Sequence, residues 1–211
     1  LMKHAFIMDP LEAVKTHKDT SYFLMLAACE QGHQVYYLDA GDLYVKDSSV
    51  MATAQRVNVQ DDPQAPFEPE SEESVLMADM DAVWIRTDPP VDRAYFYMTM
   101  LLDLLPASVK VINRPSTIRD WNEKLAALQY SQFTPATMVA RHSTQIVDFV
   151  HQHGRTTLKP IDGHCGAGIL FVNSEQPDLE SQIRLATHGG SHWVIVQQYL
   201  YEAKERALIT I

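Results

Sequence analysis

Hydrophobic residues fall in short runs separated by turn-forming residues along most of the chain. Ala5 to Met8 is apolar and is closed by Asp9-Pro10, which predicts a strand running into a loop. Asp19-Thr20-Ser21 then places capping side chains ahead of an apolar stretch, and Gly32 follows it, so a helix is predicted there with both stop signals. Gln34 to Leu38 reads as a second strand, and strand-helix-strand is the unit of a parallel, doubly wound sheet. Residues 60–74, QDDPQAPFEPESEES, interrupt the pattern with three prolines and six carboxylates. With so little to bury, this segment is predicted to be a solvated loop rather than an acidic binding tail.

The sheet pattern resumes at Ala82-Val-Trp-Ile-Arg86 and exits through Thr87-Asp88-Pro89-Pro90, whose prolines force an extended course. Arg86 and Asp88 are thereby left at the strand's carboxyl edge, where open α/β sheets bind ligands. Val109 to Ile112 is another strand. A helix is expected from Pro115, since proline suits the first helical position, running towards Asn122-Glu-Lys-Leu-Ala-Ala-Leu128. The boundary between a first α/β domain, 1–121, and a second, 122–211, is placed there. Within the second, strands are predicted at Thr137 to Ala140, Thr156 to Lys159, Gly168 to Val172, Trp193 to Gln198 and Ala207 to Ile211. Helices are predicted at Ser143 to His153 and near Asp178 to His188. No repeat of 20 to 50 residues is present.

Composition narrows the function classes. A hydrophobic content of 46% supports a real core, and 17 basic against 27 acidic side chains give a formal charge of -10. That charge, without any Lys/Arg cluster, opposes binding to nucleic acid or to an anionic membrane surface. No apolar run is long enough to span a bilayer, and LMKHAFIMDP turns acidic and prolyl too early for a signal peptide. Cys29 and Cys165 alone make neither a disulfide framework nor a thiolate zinc site, and a cytoplasmic setting is the simplest expectation. Of the nine histidines only His151/His153 and His188/His192 are closely paired, and Gly189-Gly190 would break the helix needed to align the second pair, so both read as surface or loop positions.

The most distinctive stretch is TLKPIDGHCGAGILFV, residues 157–172. It matches neither the P-loop nor the dinucleotide-binding pattern. Joining two strand-like runs, it has no helix amino terminus to offer an anion, so its own N–H groups would have to make the nest. Glycine permits that, and Lys159 supplies a point charge beside the loop. Asp162-Gly163 is equally an ordinary turn signal, so on this stretch alone a plain hairpin and a phosphate loop both stay open. His164 in the loop is a candidate for titration near bound phosphate.

Other motifs bear on that choice. MDP at 8–10, KDTS at 18–21, R-x-DPP at 86–90, N-x-P at 113–115, RDxNEKL at 119–125, LKPxDGxxGAGI at 158–169 and QxYL at 197–200 occur in one order along nearly the whole chain. Together they resemble the bacterial glutathione synthetases of the ATP-grasp ligase superfamily. The resemblance implies a doubly wound α/β domain followed by an ATP-grasp fold, with a glycine-rich flap at 160–168 closing over ATP. It implies that Lys124 and Lys159 contact the nucleotide phosphates beneath Gly163, Gly166, Ala167 and Gly168. It further implies that backbone groups of Gln198, Tyr199 and Leu200 bind the adenine edge, and that Arg206 contacts phosphate during catalysis.

The implied reaction joins γ-glutamylcysteine and glycine at the expense of ATP, with Mg²⁺ (or Mn²⁺) assisting, through an acyl phosphate. No side-chain nucleophile is needed, which leaves Cys29 as helix packing. Arg86 and Asp88 are candidates for clamping the dipeptide substrate, because arginine binds a carboxylate bidentately, although a structural ion pair explains them as well. Met8, Asp9 and Ser21 belong to shared motifs without a derivable role. A cytoplasmic homo-oligomer, a tetramer by resemblance, is expected.

Two departures stand out. Cys165 occupies a position where the family's flap carries glycine, and Glu205-Arg206 run together where the family has more residues. Residues 1–211 also stop about a third short of the family's length, and the carboxylate and asparagine that would hold Mg²⁺ lie beyond Ile211, as do the residues closing around glycine. The alternatives are another ATP-grasp carboxylate-amine ligase, or a truncated, non-catalytic nucleotide-binding protein.

Overall fold

A computed structural model describes residues 1–163 and 166–201. Two compact units divide the chain at Asp120 and Trp121. The first is built on a seven-stranded sheet whose parallel centre has the order β2 (Gln34–Leu38), β1 (Lys3–Ile7), β6 (Ala82–Ile85), β7 (Lys110–Ile112). Alternation along β1 explains why both faces are covered. Ala5 and Ile7 lie in one buried cluster, while Phe6 and Met8 lie in another. The helix α1 (Thr20–Glu30) covers the second cluster with Tyr22, Met25 and Ala28, and α2 (Arg93–Leu102) covers the first with Met98 and Leu102. Helices on opposite faces of a parallel sheet make this unit doubly wound, as expected from the opening strand-helix-strand pattern. Asp19 caps α1, its carboxylate accepting from the Ser21 N–H at 2.7 Å.

The sequence pattern passed over three elements here. The antiparallel strands β3 (Leu43–Lys46) and β4 (Ser49–Val59) extend the sheet beyond β2, and α2 is the third. In β4 the buried positions are Val50, Ala52 and Ala54, then Val57 and Val59, so burial passes from one face to the other with the alternation unbroken, beside a register shift whose extra residue lies on the partner strand. The first three residues join one core cluster and the last two join the other.

The expectation of a loop over residues 60–74 holds for 60–66 and is overturned for 67–74. Phe67–Leu76 forms β5, paired antiparallel with β4. Its residues from Glu68 to Ser74 are exposed, so main-chain pairing rather than burial makes this segment a strand. The single helix expected from Pro115 is also corrected. Helix α3 (Pro115–Asp120) ends, and Asn122 starts a separate short helix, α4 (Glu123–Ala126), followed by a 3-10 segment at Ala127–Phe133.

The second unit contains an antiparallel sheet in the order β10 (Leu170–Val172), β9 (Thr156–Pro160), β11 (Val194–Gln198), β8 (Thr137–Ala140). Helices α5 (Ser143–His153) and α6 (Leu179–Ala186) bury Ile146, Phe149, Val150, Leu179 and Ile183 against Leu158, Val172, Val194 and Val196. The i, i+3, i+4 spacing on α5 and the i, i+4 spacing on α6 each put one apolar stripe on the sheet. Gly154, with φ of 72°, ends α5 and turns the chain into β9. The strand expected at Ala207 to Ile211 lies outside the described residues.

Candidate active site

Alternation along β9 sets the geometry of the second unit's site. Leu158 is fully buried beneath the helices, so its neighbour Lys159 emerges on the opposite sheet face. The capping of α4 brings Lys124 to the same place. The Asn122 side chain accepts from the N–H groups of Lys124 and Leu125, both at 3.0 Å, and its amide donates to the Ile161 carbonyl at 3.3 Å. One residue therefore starts the helix and ties it to the turn after β9. The Lys124 ammonium donates to the carbonyls of Gly163 and, at 3.4 Å, Ile161, and stands 3.4 Å from the Glu123 carboxylate.

Lys124 and Lys159 line one cavity of about 180 Å³ together with Glu123, Pro160, Gly163, Gly166, Ala167 and Ile169. Burial, and secondarily the Lys124 charge, push the Lys159 pKa below its ordinary value. Among the described residues Lys159 has no carboxylate partner; its ammonium donates to the Gln197 side-chain carbonyl at 2.8 Å. Two ammonium groups meeting with so little countercharge form a site suited to an anion.

The glycines play different parts. Gly166 has φ of 77°, and a Cβ there would meet nothing within 4 Å. Gly168 has φ of 72° and does not line the cavity; a Cβ there would stand 2.9 Å from Cγ of Pro160. Gly166 thus leaves room at the cavity, while Gly168 allows close packing on Pro160. His164 and Cys165, the titratable candidate and the family departure, lie outside the described residues, as do Glu205 and Arg206.

At the end of β11, the N–H of Gln198 donates to Ala136 O and that of Tyr199 to Arg155 O, both at 2.9 Å. Those two donors are therefore occupied, which narrows the expectation for an adenine edge. Among the described residues, the carbonyls of Gln198 and Tyr199 and the N–H of Leu200 have no hydrogen-bond partner. The Tyr199 ring lies beneath the Arg155 guanidinium, 4.2 Å from its centroid, with Phe171 edge-on at 5.8 Å. None of Gln198, Tyr199 and Leu200 lines the lysine cavity.

Arg86 and Asp88 lie in the first unit, on a separate cavity of about 260 Å³ lined also by Met8, Asp9, Lys18, Asp19 and Ser21. The motifs MDP, KDTS and R-x-DPP, distant in sequence, therefore converge. Arg86 and Asp88 do not pair with each other. Arg86 Nε donates to Ser21 Oγ at 2.9 Å, and the Asp88 N–H donates to the Asp9 carboxylate at 2.8 Å. Asp9 and Ser21 thus gain a structural part, orienting the exit of β6. Among the described residues no three His, Cys, Asp or Glu side chains converge as a metal site, so no metal ligand is assigned.

Sequence reasoning missed Gln197 and the double duty of Asn122. Both stood inside quoted motifs, but the contact between Gln197 and Lys159 depends on the pairing register of β9 and β11, which no local pattern reveals.

Comparison with known proteins gives these features a family. The model of the prokaryotic glutathione synthetase N-terminal domain matches residues 2–119, and that of the prokaryotic glutathione synthetase ATP-grasp domain matches residues 123–210. Among relatives, the glutathione synthetase of Gloeobacter violaceus is 38% identical over 210 residues, covering 97% of this chain and 65% of its own length. That of Vibrio cholerae is 33% identical over 201 residues, covering 95% of this chain and 63% of its own. Among solved structures, a RimK domain ATP-grasp protein from Sphaerobacter thermophilus has a TM-score of 0.57 at 17% identity over 94% of this chain and 64% of that one. D-cycloserine synthetase has a TM-score of 0.59 at 16% identity over 94% and 59%. These two likenesses speak for the ATP-grasp fold alone. The chain spans somewhat less than two thirds of the length of the relatives it resembles. With a family domain matched on each side of residue 121, the chain belongs to the prokaryotic glutathione synthetase family.

Proposed function

We propose that this protein takes part in the ATP-dependent joining of γ-glutamylcysteine and glycine to form glutathione, releasing ADP and phosphate. The observation that carries this reading is the convergence of Lys124 and Lys159 on one cavity beside the glycine turn, in a chain matched by both family domains. In this reading the cysteinyl carboxylate of the dipeptide attacks the γ-phosphorus of ATP, and the bond from that phosphorus to the ADP oxygen breaks. Glycine's amine then attacks the acyl carbon, loses a proton and displaces phosphate. Such a reaction needs positioning and neutralised charge rather than a protein nucleophile.

Each group then has a task. Lys124 and Lys159 hold phosphate oxygens, and Gly163, Gly166 and Ala167 bound the same space, with Gly168 setting the turn. The Leu200 N–H and the carbonyls of Gln198 and Tyr199 offer an adenine edge one donor and two acceptors. Arg86, steadied by Ser21, and Asp88 are assigned to a carboxylate and the amine of the dipeptide. Arg206 is assigned to phosphate by family resemblance alone. Mg²⁺, or Mn²⁺ in its place, would supply further charge neutralisation to the triphosphate; no residue described here is assigned to it. A cytoplasmic setting and assembly as a homo-oligomer, a tetramer first, complete the proposal.

The test is ADP release by the purified protein with Mg²⁺ and ATP, supplying γ-glutamylcysteine and glycine separately and together. Release that requires both supports the proposal. Turnover with another carboxylate-amine pair but not this one would favour a different ligase of the superfamily, and ADP binding without turnover in any mixture would favour a nucleotide-binding protein.

A further inference from the structure

On the face of the small sheet opposite α5 and α6, a row of hydrogen bonds runs away from Lys159. Val196 is fully buried, so Gln197 emerges beside Lys159 on the other face, and the register sets Thr137 of β8 opposite Gln197. Lys159 Nζ donates to Gln197 Oε1 at 2.8 Å, Gln197 Nε2 donates to Thr137 Oγ1 at 3.0 Å, and the Thr137 hydroxyl donates to Pro135 O at 2.7 Å. The direction of this row is forced. Pro135 O only accepts, so the hydroxyl proton points to it, and Thr137 presents its oxygen to the NH₂ side of the glutamine amide. The amide carbonyl is thereby turned to Lys159.

We propose that Gln197 is a positioning residue, whose amide carbonyl, fixed by Thr137, holds the Lys159 ammonium with two N–H groups left for an anion in the cavity. The nucleotide part of this inference rests on reading the cavity as a phosphate site. A neutral acceptor suits the task because it orients the ammonium without cancelling its charge, as a carboxylate would. Among the described residues, the charged side chains lining the cavity with Lys159 are Lys124 and Glu123, both from α4. Burial and Lys124 lower the Lys159 pKa, and the Gln197 carbonyl acts in the opposite sense by favouring the protonated amine.

The experiment compares Gln197→Leu, Gln197→Glu and Thr137→Val with the unmodified protein in two measurements. Affinities for ADP and for adenosine are taken by calorimetry. The pH profile of Lys159 acetylation by acetic anhydride is read by mass spectrometry of the peptides, which requires no nucleotide. Gln197→Leu is expected to weaken ADP binding about 10-fold, the loss of one hydrogen bond to a charged group, with adenosine affinity unchanged. The acetylation profile should move to lower pH in Gln197→Leu and to higher pH in Gln197→Glu, with Thr137→Val shifted in the direction of Gln197→Leu by less. Opposite movements of this kind would not arise from a general loosening of the fold. Equal weakening of ADP and adenosine would overturn the proposal by making Gln197 a reader of the base. Profiles unmoved in both Gln197 variants would overturn it outright. Should the unmodified protein bind neither ligand, the nucleotide reading falls, and the acetylation profiles still decide whether Gln197 holds Lys159.

Discussion

At the scale of single residues, Gly166 and Gly168 separate two uses of the same conformational freedom. Both sit at positive φ, where a side chain costs about 1 kcal/mol, but only Gly168 would also drive a Cβ into Pro160. Gly168→Ala should therefore lose about 1–3 kcal/mol of stability in urea unfolding, and Gly166→Ala about 1 kcal/mol. Because Gly166 lines the lysine cavity, its substitution should weaken ADP binding more for each unit of stability lost. If the two variants lose affinity only in proportion to stability, the distinct roles are wrong. His4 gives a second prediction. The Trp84 indole N–H donates to His4 Nδ1 at 3.2 Å, so in this arrangement Nδ1 is unprotonated and Nε2–H meets His33 Nδ1 at 2.9 Å. Burial first, then the His33 charge, lower the His4 pKa, with Asp81 opposing. The unfolded chain accordingly binds more protons near the ordinary histidine value of about 6.5, and stability rises with pH across that range. The contribution is fully present above that value and is lost as pH falls through the lowered folded value. Urea midpoints read by tryptophan fluorescence from about pH 8 down to about pH 5 should fall less in His4→Gln than in the unmodified protein. Parallel curves would remove His4 as the cause.

At the scale of elements, α4 is only four residues long and owes its place to Asn122 rather than to an apolar stripe. Asn122→Ala should cost about 1 kcal/mol through loss of the cap and should weaken ADP binding as Lys124 loses its fixed approach to the turn. Asn122→Asp keeps the capping acceptor but removes the donor to Ile161, so it should recover stability more fully than affinity. Affinity unchanged in both variants would detach α4 from the site. The elements legible in the sequence were those with a compact apolar run or stripe and clear punctuation: β1, α1, β2, α5 and β11. Those that escaped did so for physical reasons. In β4 burial passes from one face of the strand to the other midway, so no single alternating set of apolar positions runs its whole length. In β5 the exposed run from Glu68 to Ser74 carries no burial signal at all, because β4 supplies its hydrogen bonds. The site divided in the same way. Lys124, Lys159 and the glycine turn were found through motifs, whereas Gln197 needed the pairing of three strands. The occupied N–H groups of Gln198 and Tyr199 likewise depend on carbonyls at Ala136 and Arg155, far away in the chain.

At the scale of the whole molecule, a formal charge of -10 confronts a proposed ligand that is itself an anion. The average field of such a protein repels ADP, and binding depends on the attraction of Lys124 and Lys159 at close range. These contributions respond differently to salt. Repulsion from distant carboxylates is largely screened as the Debye length shrinks from about 30 Å at 0.01 M to about 8 Å at 0.15 M. Contacts within a partly buried cavity are screened much less. Raising the salt between those limits, with no divalent metal added, should therefore leave ADP affinity nearly level or strengthen it. A protein that binds phosphates through an extended basic surface behaves in the opposite way, losing about 10³ or more in affinity over a smaller range when it releases many counterions. Calorimetric titrations of ADP at several salt concentrations would distinguish the two. A steep loss of affinity with salt would mean that long-range attraction, rather than the pair of lysines, draws the nucleotide in, and a level or rising response would match an anion site embedded in an otherwise acidic protein.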